Sequence, residues 1–261
     1  MKNELEHIIK KHFSENQNEV NFDPSDEISK DTLSVICDFL KILKPYDRPD
    51  MYANIDNDLL FIEHFEFDAS AWNRKGSLEK KEIYRIDERE KEFFDNKQES
   101  CSFSDHINNK ASLKNLIQNI NDVFINHIKK IPDYIEHLKI DKLIDPKTKV
   151  RKCFFIESSS PFPCYINTEN GSKIFNLFYA DFFIQILKIY KNEIDYLFYS
   201  YAGNKEDILY FMDIRALSIY EDKCLKIDEK SFIPIDPHVI SSRIFVKEEV
   251  RFGITDIHKD E

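Results

Sequence analysis

The stretch Arg48–Asp68, RPDMYANIDNDLLFIEHFEFD, is where the sequence passes from helical to extended periodicity. Met51 to Ile55 is a short extended run, Asp56-Asn57-Asp58 is a turn signal, and Leu59 to Phe67 reads as a strand. Together they form a β-hairpin. Side chains alternate across a strand, so Phe61, Glu63, Phe65 and Phe67 share one face. Leu60, Ile62, His64, Glu66 and Asp68 share the other. Glu63 is then a carboxylate on an otherwise aromatic face, and its burial requires a partner, a proton or a metal. The bland alternative pairs Glu63 with Arg48, Arg74 or Lys75 and makes His64 a satisfied core histidine. Asp68-Ala69-Ser70 would then cap the next turn, and Gly76-Ser77 the helix after it.

Outward from the hairpin, Leu33, Ile36, Phe39, Leu40 and Leu43 fall at helical spacing in a helix that begins at Ser29 or Asp31 and stops before Pro45. Residues 2–13 read as a short helix, and Asn16 to Pro24 as turn-like. Downstream, Leu78 to Phe94 suits an exposed helix and 95–110 a polar loop. Ala111 to Leu138 carries the longest apolar stripe, which Pro132 is expected to kink or split. Val150 to Glu157 is a buried strand, Lys173 to Tyr190 an amphipathic helix, and Ile194–Tyr201 with Ile208–Leu217 a pair of strands. The expected class is α/β (α+β): a mixed central sheet with a β-hairpin core, flanked by helices that include the long one near 111–138. One domain spans 1–261, with a core of about 30–95 and 150–217, a helical insertion at 96–149 and a C-terminal extension from 218.

The 42% hydrophobic and 13% aromatic content belongs to a folded chain rather than a disordered one. A formal net charge of −11 weighs against non-specific coating of nucleic acid, which needs a basic surface. Two basic strips, Arg74-Lys75 with Lys80-Lys81 and Lys147-Lys149-Arg151-Lys152, read as solvated surface. Five scattered cysteines (Cys37, Cys101, Cys153, Cys164, Cys224) form no CxxC pair and have no histidine at zinc-site spacing. The first residues, MKNELEHIIKKHF, are charged throughout, and no apolar run approaches the ~20 residues of a membrane span. A cytoplasmic protein is expected, with no membrane partner. No glycine-rich phosphate loop, GxSxG elbow or HExxH helix occurs, and His127 and His137 fall on different faces of their helix.

Asp50 follows Pro49 at the start of the first hairpin strand, and the hairpin carries it towards Glu63–Asp68. Carboxylates converging at a strand end make a hard-oxygen site for Mg²⁺ or Mn²⁺, a setting for phosphodiester hydrolysis. Glu157 repeats the pattern of an acid terminating an apolar strand, and either joins that site or faces solvent. Pro49-Asp50, a gap of twelve residues, and Glu63-His64-Phe65 in a hydrophobic strand resemble the PD-(D/E)XK nuclease superfamily. There a helix precedes a hairpin that bears the Asp and the Glu-x-Lys. The resemblance covers chiefly 30–70 and, loosely, 150–217. It implies Asp50 and Glu63 as catalytic acids, with Asp50, Glu63 and His64 around Mg²⁺ or Mn²⁺. Phe65 occupies the family's lysine position, so the resemblance implies a displaced lysine, assigned to Lys75 with Lys80 and Lys81 nearby.

Three functions stay open. One is a metal-dependent nuclease in a bacterial defence (phage defence) or mobile-element setting. Another is a catalytically inactive nuclease-like fold acting as a protein-binding or assembly module. Phe65 and the net charge favour the second. Its expected partner is another protein, and the third reading is a regulatory protein that forms a homodimer through the helix at 111–138.

Overall fold

The computed structural model describes residues 21–24, 26–73, 76–95, 101–105, 111–158, 165–168, 171–201, 208–233 and 241–245. The chain runs through β1 (Asn21–Pro24), α1 (Glu27–Leu40), β2 (Lys44–Pro45), and the hairpin β3 (Met51–Ile55) and β4 (Asp58–Phe67). A small ladder of β5 (Trp72–Asn73) and β6 (Gly76–Ser77) leads into α2 (Leu78–Asp95), β7 (Cys101–Asp105) and the long α3 (Leu113–Ile140). There follow β8 (Lys149–Ser158), β9 (Tyr165–Thr168), β10 (Gly171–Ile174), α4 (Asp181–Tyr190), β11 (Tyr196–Tyr201) and β12 (Ile208–Asp213). The described chain closes with α5 (Leu217–Lys223), β13 (Phe232–Ile233) and β14 (Ser241–Phe245).

The architecture is mixed α/β. Seven strands form the main sheet in the order β1-β12-β11-β8-β4-β3-β2. Its centre is parallel: β4 pairs with β8 and β8 with β11, in a register that sets Glu63 beside Phe154 and Glu66 beside Glu157. Parallel strands are covered on both faces, which is why these segments are nearly continuous in apolar residues. Leu60, Ile62, Cys153, Phe155, Phe198 and Phe211 pack under α1 through Leu33, Ile36, Phe39 and Leu40. Phe61, Phe65, Phe67, Phe154, Ile156 and Tyr199 pack on the opposite face with residues of α3, α4 and α5. Each fully buried phenylalanine contributes about 1.5–3 kcal/mol by transfer from water. Among the described residues no helix is long and apolar enough to cross a membrane.

The hairpin at 51–67 is as its pattern requires, and Asp56 takes the left-handed backbone (φ 54°) that aspartate tolerates in tight turns. Helix α1 starts at Glu27 rather than at Ser29 or Asp31. Asp26 is its cap, accepting from the Ser29 backbone N–H at 2.8 Å and from the Ser29 hydroxyl. Pro132 neither splits nor ends α3. Burial of Ile128, Ile131, Tyr134 and Leu138 around it outweighs a cost of about 3 kcal/mol for the missing N–H and the ring clash.

Elsewhere long-range pairing overrides local pattern. Asn21–Pro24, turn-like in sequence, is a strand because β12 offers it a parallel partner. Residues 101–105, within the expected loop, pair with β14 from the far end of the chain. The expected helix at 173–190 begins only at Asp181. The Asn176 side chain accepts from the Phe178 N–H to close a short 3-10 turn, and Ala180 bridges to Leu225. The strand expected to reach Leu217 stops at Asp213, whose carboxylate accepts from the Arg215 N–H at 2.9 Å and turns the backbone into α5. The expected helix at 2–13, the turn at 202–205, Arg74 and Lys75 lie outside the described residues.

Candidate functional site

Strand β4 presents polar groups on both faces, as its alternation demands. On the α3 face Glu63 is 7% exposed. Its Oε1 accepts from the Tyr134 hydroxyl at 2.6 Å and lies 2.9 Å from His127 Nδ1. Its Oε2 accepts from the Asp50 backbone N–H at 3.2 Å. Asp50 in turn accepts from the His64 backbone N–H at 2.8 Å through its carboxylate. Antiparallel pairing of Met51 with Ile62 places Asp50 beside Glu63, so the hairpin does bring these two acids together. Burial, and then the charge of Glu63, raise the Asp50 carboxyl from 3.8 to about 6, against the His64 N–H bond and the two imidazoles. Tyr134 is held far above its ordinary range by burial first, and then by Glu63.

Phe65, at the expected lysine position, stacks on the His127 ring with centroids 4.5 Å apart. Helix α3 thus closes over Glu63 with one imidazole and one phenol, while Arg48 lies against Asp47 instead. Tyr134→Phe keeps the ring and removes the donor. It is expected to cost about 1–3 kcal/mol by chemical denaturation, because a buried carboxylate oxygen loses a bond it cannot replace from water. A midpoint equal to wild type would show that His127 suffices.

On the α1 face, beyond the apolar cover of Leu60 and Ile62, His64 turns towards β8. Its Nε2 lies 3.2 Å from Glu157 Oε2, and its ring packs on Phe155 with centroids 5.0 Å apart. Glu66 stands level with Glu157 across the parallel pair and takes the Lys80 ammonium. One donor atom from each of His64, Glu66 and Glu157 lies within 4.8 Å of the others. Among the described residues this is the one His/Cys/Asp/Glu group so placed. It sits at the carboxyl ends of adjacent parallel strands, where open α/β sheets place their ligands.

Immediately beyond β4 the chain is anchored by Asp68, which is 0% exposed. Its carboxylate accepts from the Ser70 N–H at 3.0 Å, the Ser70 hydroxyl at 2.9 Å, the Trp72 indole N–H at 2.9 Å and the Ser77 hydroxyl. Ser77 also caps α2, accepting from the Lys80 N–H at 3.1 Å. That cap aims the first turn of α2, and with it the Lys80 amine, at Glu66. Asn119 of α3 donates to the Asp68 and Ser70 carbonyls at 2.9 and 2.8 Å.

Of the residues singled out from sequence, Asp50 and Glu63 meet, and His64 leaves them for Glu66 and Glu157. Lys75 is not described. Arg151, in the second basic strip, is consumed by Asp58 through Nε at 2.8 Å and Nη2 at 2.6 Å, and by the Tyr196 hydroxyl at 2.7 Å. Tyr134 is not marked by the sequence and His127 only against His137, although polar-tipped side chains on the apolar stripe of α3 signal a buried partner. A scan against protein-family models finds no match to this chain, and searches of curated proteins and of solved structures find none.

Proposed function

We propose that the chain is a divalent-metal-dependent phosphodiesterase of nuclease-like type whose metal is held by His64, Glu66 and Glu157. The observation that carries this reading is the convergence of those three donors beside Lys80. One imidazole and two carboxylates suit Mn²⁺ better than Mg²⁺, which favours oxygen ligands throughout. A metal bound there would supply Lewis acidity towards a phosphoryl oxygen and lower the pKa of a bound water. Lys80, freed in part from Glu66, is the cation placed to meet a phosphate oxygen, the role for which the hairpin itself offers only Phe65. Asp50 acts behind the site, since its carboxylate holds the His64 backbone.

A second reading, a non-catalytic nuclease-like module, is favoured by one observation: Glu63 is sealed by Tyr134 and His127, with Phe65 stacked on the latter. Calorimetry with Mn²⁺ and cleavage of labelled DNA and RNA separate the two. Wild type is expected to bind one Mn²⁺ and to cleave only in its presence. Glu157→Gln is expected to weaken Mn²⁺ binding by about tenfold or more and to abolish cleavage. Equal Mn²⁺ heats in both proteins, or none, would sink the metal site. Binding without cleavage of either nucleic acid would leave the non-catalytic module.

A further inference from the structure

We propose, resting on that reading and naming its substrate class, that Trp72 is a stacking platform for an unpaired nucleobase and that the site takes single-stranded nucleic acid. Trp72 is the one tryptophan of the chain, and it is 40% exposed. An exposed indole is ordinarily free to fold back onto apolar surface. This one is pinned, because its N–H is held at 2.9 Å by a carboxylate that is itself fully buried. A ring fixed in that way while open to solvent is preorganised for a planar ligand, and little rotamer entropy is lost on contact.

Its place ties it to the triad. The Asp68 carboxylate that holds Trp72 also receives the Ser77 hydroxyl, Ser77 caps the turn that bears Lys80, and the Lys80 amine ends on Glu66. One connected set of hydrogen bonds therefore runs from the exposed indole to a proposed metal ligand. Tyr84, 68% exposed, lies one helical turn beyond Lys80 and so on the same side of α2. Single strands are held by exposed aromatic rings together with cations that meet the backbone. Stacking on such rings is tolerant of sequence and changes affinity by roughly 5- to 150-fold per base.

The net charge of −11 opposes phosphate contacts on any nucleic acid, so affinity at this position rests on stacking. Duplex coating draws its affinity from phosphate neutralisation, which an acidic surface opposes. Stacking draws on the face of the base, which a duplex keeps between its neighbours and a single strand leaves open.

Because Trp72 stands alone, tryptophan emission reports on this position and no other. A short oligothymidylate is titrated into the full chain with Ca²⁺ in place of Mn²⁺, to avoid cleavage and paramagnetic quenching. Binding is followed independently by anisotropy of an end-labelled strand. The expected result is quenching of Trp72 that saturates with the anisotropy, and at least ~5-fold weaker binding by Tyr84→Ala. A duplex of the same length is expected to leave the emission unchanged. Saturated anisotropy with unaltered emission, no binding of the single strand, or equal affinity for the duplex would each overturn the proposal. Trp72→Phe, which keeps an aromatic ring but loses the indole N–H, checks by its thermal midpoint that loss of the Asp68 bond has not loosened the loop. The metal reading fails separately. Quenching in a protein that binds no Mn²⁺ leaves the stacking platform standing, and Mn²⁺ binding without quenching removes the platform alone.

Discussion

Asp68→Ala is expected to destabilise the protein by about 3–5 kcal/mol, the loss associated with removing one partner from a buried polar cluster. Asp68 is fully buried, and its carboxylate is the common acceptor for the Ser70 N–H and hydroxyl, the Trp72 indole and the Ser77 hydroxyl. Alanine removes the acceptor from Ser70 and Ser77, which are buried, at about 1–3 kcal/mol for each donor left unmet, and frees the part-buried Trp72 N–H. Local shifts recover part of that. Asp68→Asn is the informative companion, because its amide NH₂ turns a donor towards donors. It is expected to cost about 2 kcal/mol. Urea denaturation followed by Trp72 emission measures both, and the alanine variant should also lower Tm by roughly 10 °C for a chain of this size. A wild-type midpoint in the alanine variant would mean that Ser70, Trp72 and Ser77 find other acceptors. The loss should reach the proposed site too, since the cap that aims Lys80 is bonded to Asp68.

Asp50→Asn is expected to stabilise the protein at pH 8 by on the order of 3 kcal/mol and to leave it unchanged near pH 4. Burial and the neighbouring Glu63 raise the Asp50 carboxyl from 3.8 to about 6. A carboxyl with a raised folded-state pKa binds its proton more tightly in the native than in the unfolded chain. The contribution of this group to stability is therefore most favourable below about pH 4, falls as pH rises towards 6, and is flat above. The slope approaches about 1.4 kcal/mol per pH unit in that window. Asparagine carries no charge at any pH and can still accept from the His64 N–H. Denaturation midpoints of wild type and variant between pH 4 and pH 8 give the difference directly. A gap that is constant with pH, or that closes as pH rises, would contradict the raised carboxyl.

The hairpin was legible from 51–67 because period-two alternation, a turn triplet and β-branched or aromatic residues all agree locally. The pairing of Asp50 with Glu63 follows from hairpin register alone, as does the separation of Glu63 from His64 onto opposite faces. The long helix was equally plain from its stripe. Glu63 was marked as needing a partner, since an aromatic face cannot hold a carboxylate unaided.

Which partner it found lay beyond local reading. His127 and Tyr134 come from a helix more than sixty residues downstream, and only the packing of α3 on the sheet brings them to Glu63. The same holds for the other face. Glu157 reaches His64 and Glu66 because β8 docks parallel to β4 in one particular register, and a slip by one residue would turn it to the opposite side. What the chain by itself determined is the set of chemically expensive groups: Asp50, Glu63, His64, Glu66 and Asp68 on or beside one strand. What the tertiary structure decided is their division into a sealed network under α3, a buried anchor at Asp68 and a partly buried His–Glu–Glu cluster with Lys80. Polar alternation is a property of a strand, whereas satisfaction and convergence belong to the elements packed against it.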